Sequence, residues 1–126
     1  MNDMNNAQIG KLGEDFCCRV LEKEGYKISR RNFHTRYGEV DIIAENETEI
    51  LFVEVKTRKL SAKAMPREAV DAAKQRKLIL TAMFFLQNNP VEKIPRLDVF
   101  EIWHNGTGIT NYNHLKNAFD LSALGG

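Results

Sequence analysis

The stretch GEVDIIAENETEILFVEVKTR, residues 38–58, constrains the fold more than any other part of the chain. Two runs of β-branched and aromatic residues flank a polar turn, so the segment reads as an antiparallel hairpin. An even-numbered loop centred between Glu47 and Thr48 pairs position n with position 95 − n, which sets Asp41 opposite Glu54. Directly opposed side chains have Cβ atoms about 4.5–5.5 Å apart, and like charges at that spacing repel. Lys56 lies two residues beyond Glu54, on the same face and about 6.6–6.8 Å along the strand. A hard divalent cation such as Mg²⁺ is commonly held by one or two carboxylates with water and phosphate around it. A nearby lysine then steadies the water or the developing negative charge, so two acids and a lysine in this pattern point to phosphodiester chemistry. An ordinary solvated hairpin with a weak Glu54–Lys56 ion pair is the alternative reading.

The rest of the chain supplies a framework for this hairpin. Asn5 or Asn6 can cap a helix that runs to about Glu24 and stops at Gly25, with Ile9, Leu12, Phe16 and Val20 at helical spacing and Glu14 at the margin of that stripe. A strand is expected from Tyr26 to about Arg31, followed by a basic connection to Gly38. After the polar segment KLSAKAM, Pro66 fits the first turn of a second helix ending near Asn88, before Pro90. Its first half carries Lys74, Arg76 and Lys77, whereas Leu78 to Leu86 is apolar nearly all round and is expected to be buried. Arg96 to Trp103 alternates as a strand, GTGITNY suggests a shorter edge partner, and NHLKNAF a short final helix.

Composition limits what such a framework is for. With 126 residues and a 43% hydrophobic share, one domain spanning 1–126 is expected. Eighteen Lys and Arg against seventeen Asp and Glu leave a formal charge of +1, so attraction to nucleic acid must be local. Basic residues do cluster locally, at Arg30, Arg31 and Arg36, at Lys56, Arg58, Lys59 and Lys63, and at Lys74, Arg76 and Lys77. Such clusters can clamp a phosphate backbone, or equally form solvated faces. Cys17 and Cys18 are adjacent and make neither a disulfide framework nor a metal knuckle, which suits a reduced, cytoplasmic setting. The three histidines are scattered without zinc-ligand spacing. No apolar run approaches the roughly 20 residues of a membrane span, and the start MNDMNNAQ has no leader-like pattern, so a soluble protein without a membrane partner is expected.

These motifs carry a family resemblance. GKLGEDFCCRVLEKEGYKISRRNFHTRYGEVDIIA, LFVEVKTR, EAVDAAKQRKL, RLDVF and NAF resemble, in order and spacing, the YraN-like family of small restriction-endonuclease-like proteins, itself similar to archaeal Holliday-junction resolvases. The resemblance implies an α/β fold with a mixed central β-sheet flanked by helices. It also implies a Mg²⁺- or Mn²⁺-dependent endonuclease site acting on DNA, branched or otherwise structured DNA by analogy with the resolvases. Asp41 and Glu54 would be metal ligands, Lys56 the catalytic lysine, and Glu14 an additional acid reaching in from the first helix. Val40 stands where many members of the wider superfamily have proline. Among the basic residues, Arg36, Arg58 and Lys74 are the candidates for nucleic-acid contact, Lys74 because the family sets its helix beside the sheet. A non-catalytic nucleic-acid-binding or assembly module that keeps the fold is the main rival, and a hairpin-centred interaction protein a third reading. Monomer and homodimer both remain open.

Overall fold

Asn5 opens the first helix by a reciprocal cap: its side chain accepts the Gln8 N–H at 2.9 Å, and the Gln8 side chain accepts the Asn5 N–H at 2.9 Å. The helix, α1, spans Asn6–Lys23 and ends before Gly25, whose φ of 95° turns the chain into the first strand. In this computed structural model, residues 4–59 and 72–119 are described. After α1 follow β1 (Lys27–Thr35), β2 (Gly38–Glu45), β3 (Glu49–Lys59), α2 (Ala72–Asn88), β4 (Ile94–His104) and β5 (Ile109–Phe119).

The five strands form one sheet in the order β1-β2-β3-β4-β5. All neighbours are antiparallel except β3 and β4, which run parallel and therefore need the crossover that contains α2. This is an α/β architecture with a mixed sheet flanked by helices, consistent with a restriction-endonuclease-like fold.

Each face of the sheet buries its own apolar layer. On the α1 face, Cys17 and Leu21 pack with Ile42, Ala44, Leu51, Val53, Phe100 and Ile102. On the α2 face, Leu78, Ile79, Ala82 and Phe85 pack with Val40, Ile43, Ile50, Phe52 and Leu97. With a layer on both faces, the central strand β3 is apolar from Ile50 to Val53 without alternation, as a doubly covered strand must be.

Three sequence expectations are corrected here. The basic connection expected after Arg31 is strand, because β1 is an edge strand and tolerates Arg30, Arg31 and His34 on its solvated side. The tail NHLKNAF is not a helix but the second half of β5, which is as long as β4. Its polar residues are drawn into the sheet by a buried partner: His114 stacks on Phe100 with ring centroids 4.1 Å apart, and the Asn117 N–H donates to Asp98. Finally, Leu78–Leu86 is not buried all round, since Met83 and Phe84 are exposed on the outer side of α2. The expected start of α2 at Pro66, and Lys63, lie outside the described residues.

Candidate functional site

The hairpin register is the expected one. Ile42 pairs with Val53, Ile43 with Phe52, Ala44 with Leu51 and Glu45 with Ile50, each pair summing to 95. Beyond Ile42–Val53 the β2–β3 ladder stops, while β3 continues beside β4 as far as the Lys59–His104 pair. Val40 packs on the α2 face and Ile42 on the α1 face, although two residues apart in a regular strand would share a face. The strand is therefore kinked at Asp41. Across from the kink, Asn32 in β1 adopts φ 53°, a conformation asparagine tolerates better than most residues.

The kink gives Asp41 a role in the backbone. Where the ladder ends, the Val55 N–H would have no strand partner from β2, and the Asp41 Oδ2 accepts it at 2.7 Å. The carboxylate is thus fixed in the cleft between diverging strands. Burial, and then the nearby Glu54 charge, push its carboxyl up from 3.8 to about 7, against the downward pull of the Val55 N–H. Glu14 and Glu39 add to the rise. Its charge is also felt by Cys17 on α1 and by Lys74 on α2, so it sits at the seam between the two faces.

Glu54 is buried and meets α2. Its Oε1 accepts the Lys74 Nζ at 2.7 Å, and the Glu54 side chain is only 7% exposed while that of Lys74 is 46% exposed. Glu54 raises the Lys74 ammonium above its usual range, whereas burial, and then the proximity of Lys74, bring Lys56 below its own. Two lysines thus flank one acid. A cavity of about 370 Å³ opens here, lined by Gly38, Glu39, Glu54, Ala73, Lys74, Lys77 and Leu78. Gly38, at φ 151°, keeps the turn tight against α2: a Cβ there would lie 3.2 Å from the Lys77 Cβ.

Glu14 approaches from the other side. A Cβ on Gly13 would lie 2.5 Å from the Thr57 Cγ2, so the missing side chain is what lets α1 rest on β3. Glu14 follows directly in the helix and accepts from Arg31 at 3.4 Å and from the Asn32 side chain at 3.3 Å. The kinked β1 residue thereby tethers the acid beside Asp41.

Asp41, Glu54, Lys56, Lys74 and Glu14 are accordingly brought to one region. Arg58 acts electrostatically on Lys56 and belongs to the same strand end. Arg36 does not join them: it lies over the Tyr37 ring, 5.0 Å from its centroid, and donates to the Tyr37 hydroxyl at 2.9 Å. Sequence reasoning missed Gly13, Asn32 and Gly38, of which only the glycines announce themselves as close-approach positions.

It also missed a second buried acid. Asp98 in β4 is 1% exposed and accepts two hydrogen bonds from Arg96 at 2.9 Å, one from the Asn117 N–H at 2.9 Å and a contact with His114 Nε2 at 2.7 Å. Arg96 continues to Glu49, which also accepts from the Tyr26 hydroxyl at 2.8 Å. Burial alone would raise the Asp98 carboxyl, but His114, Arg96 and Asn117 more than offset it, and it falls below 3.8.

The donor set suits a hard cation. Burial and the nearby Glu54 disfavour the Asp41 charge, and Asp41 and Glu54 are the two carboxylates that could hold Mg²⁺ or Mn²⁺ with water and phosphate completing the shell. Among the described residues, no group of three or more His, Cys, Asp or Glu side chains is placed to share an ion. No described helix is long and apolar enough to cross a membrane.

A model of the uncharacterised protein family UPF0102 matches residues 13–102, a span that includes Glu14, Asp41, Glu54, Lys56 and Lys74. A UPF0102 protein of Caldanaerobacter subterraneus subsp. tengcongensis is 38% identical over 122 residues, covering 94% of this chain and 100% of that protein. Similar proteins of Persephonella marina (42% over 113 residues; 89% of this chain, 93% of the relative) and Dictyoglomus thermophilum (42% over 118 residues; 92% and 100%) carry the same family name.

Proposed function

We propose that this chain, which belongs to the UPF0102 family, is a divalent-cation-dependent endonuclease that hydrolyses phosphodiester bonds in DNA. The observation that carries the reading is Asp41, a carboxyl anchored by the Val55 N–H in the strand cleft and raised to about 7 by burial and by Glu54. A folded protein tolerates such a conflict at a site that binds a cation in use. Mg²⁺ or Mn²⁺ would polarise the phosphoryl oxygen and acidify a water.

The chain's own groups do the rest. Asp41 and Glu54 would hold the cation, for which Asp41 must be without its proton. Lys56, partly buried and holding its proton less tightly than an exposed lysine, orients the attacking water and balances charge building on the phosphate. Glu14, held by Arg31 and Asn32, adds a third acid within electrostatic reach of Asp41. Arg58 and Lys74 supply cations for the flanking backbone.

Incubation of the protein with linear, single-stranded and four-way-junction DNA, in Mg²⁺, Mn²⁺ or EDTA, tests this. Cleavage that needs the ion and falls at least ~100-fold in Lys56→Ala is expected. DNA binding without cleavage under every ion would favour the non-catalytic binding module instead.

A further inference from the structure

We infer that the tip of the β1–β2 hairpin and the outer side of α2 form a stacking platform for an unpaired base, so that the substrate of the site is DNA with a single-stranded segment beside the cleaved bond. The inference rests on the nuclease reading above. A stripe along α2 joins the two places. Lys74, Lys77, Thr81 and Phe84 recur at helical spacing, and each meets a different partner. Lys74 meets the Glu54 carboxylate at 2.7 Å, and Lys77 lines the cavity at Gly38. The Thr81 hydroxyl lies 3.5 Å from that of Thr35, and the Phe84 ring centroid 6.2 Å from that of Tyr37. From Lys74 to Phe84 the stripe is about 15 Å long, the length of roughly four stacked nucleotides. A strand with one phosphate at the acids would therefore reach the rings.

An exposed phenylalanine alone carries nothing. Here Phe84 is 36% exposed beside a second ring and a planar cation. Tyr37 leans on Phe84 at 58°, so neither ring covers the other's face. The Arg36 guanidinium lies 5.0 Å from the Tyr37 centroid and donates to its hydroxyl at 2.9 Å. Aromatic rings and guanidinium planes are the surfaces on which unstacked bases lie, and every base has a π-face, so such a platform reads unpairing rather than sequence. It is also held in place. Arg36 and Tyr37 are the two residues between the closing pair Thr35 and Gly38, the Thr35 hydroxyl accepts the Tyr37 N–H at 3.1 Å, and Gly38 abuts Lys77. Both ends of the turn rest on α2, so little freedom is lost when a base arrives. Lys77, exposed between the acids and the rings, supplies charge for the intervening backbone.

Fluorescence anisotropy in EDTA, and again in Ca²⁺, tests this with three probes: an oligothymidylate, a blunt duplex and a duplex with a single-stranded tail. Wild type should favour the oligothymidylate and the tailed duplex over the blunt one. Phe84→Ala should lose about tenfold on those two and little on the blunt duplex, whereas Phe84→Tyr, which keeps a ring, should match wild type, with thermal melts confirming each fold. Lys77→Gln should weaken all three alike. Equal affinity of wild type for the three probes, or Phe84→Ala matching wild type on the tailed duplex, overturns the platform and leaves the nuclease reading to its own ion-dependence test. Self-association of wild type that Phe84→Ala abolishes, with DNA affinity unchanged, makes the face a contact between copies instead and overturns it equally. Ring-dependent binding of oligothymidylate by a protein that cleaves no DNA in any ion keeps the platform and overturns the nuclease reading. No binding of any probe by wild type overturns both.

Discussion

Two acids lie inside this sheet, and their surroundings differ. Asp98 receives two hydrogen bonds from Arg96, one from the Asn117 N–H and the contact of His114, and its carboxyl is held below the ordinary range. Asp41 receives one N–H, from Val55, and has Glu54 for a neighbour, so its carboxyl rises to about 7. One charge is fully satisfied and ties β4 to β5. The other is left in conflict at the point where β2 and β3 part. Burial of an acid is therefore not in itself a mark of function; what distinguishes a site is burial that the fold leaves uncompensated.

The largest effect expected from this difference is at the satisfied acid. Asp98→Ala takes from Arg96 one of its two carboxylate partners, Glu49 remaining at 3.2 Å, and leaves the Asn117 N–H and His114 without their acceptor, so it should destabilise the fold by about 3 kcal/mol in denaturant titration, with Mn²⁺ affinity of the folded fraction unchanged. A cost under ~1 kcal/mol would erase the distinction between the two acids.

Next in size is a steric change on the other side. Gly13→Ala sets a methyl 2.5 Å from the Thr57 Cγ2 and should cost about 2 kcal/mol by prising α1 from β3. Thr57→Ser in the same chain removes that methyl and should recover most of the loss. Failure of the second change to rescue the first would mean that α1 is held elsewhere.

A smaller and opposite effect is expected at the conflicted acid. The Asp41 carboxyl binds its proton more tightly in the folded than in the unfolded chain, chiefly through burial and then Glu54. The stability it lends is whole below its ordinary 3.8 and is lost as pH rises through about 7. Asp41→Asn should therefore stabilise the protein by roughly 1–2 kcal/mol at pH 8 and change it little at pH 4. Asp98 has the reverse sign: its contribution is whole above its ordinary 3.8 and is lost as pH falls through its lower folded value. Melts of Asp41→Asn and Asp98→Asn across pH should show the two opposite trends, and parallel trends would break the comparison.

How much of this the sequence made legible follows the same division. The hairpin of residues 38–58 carried its own register through its turn, because an even-numbered loop centred between Glu47 and Thr48 pairs position n with position 95 − n. That register by itself brings Asp41, Glu54 and Lys56 together, and the helix stripe of α1 sets Glu14 at its margin. The kink at Asp41 was not legible, since it depends on β2 leaving β3 while β3 stays with β4. Nor was the strand character of NHLKNAF, whose partners Asp98 and Phe100 lie 14 or more positions away from His114 and attract polar residues that local preference would send elsewhere. Asp98 itself read as one polar position in an alternating strand; only its partners reveal what it does.

The central claim is that Asp41 and Glu54 form a cation site in which Asp41 is kept partly protonated until the ion binds. Mn²⁺ titration by calorimetry in two buffers of different ionisation enthalpy at pH 7 measures proton release with binding. Wild type should release about half a proton per ion from Asp41 at pH 7, with release falling toward zero at pH 8.5, and Asp41→Asn should bind weakly and release none. Binding without proton release at pH 7, or unchanged affinity in Asp41→Asn, would contradict the account.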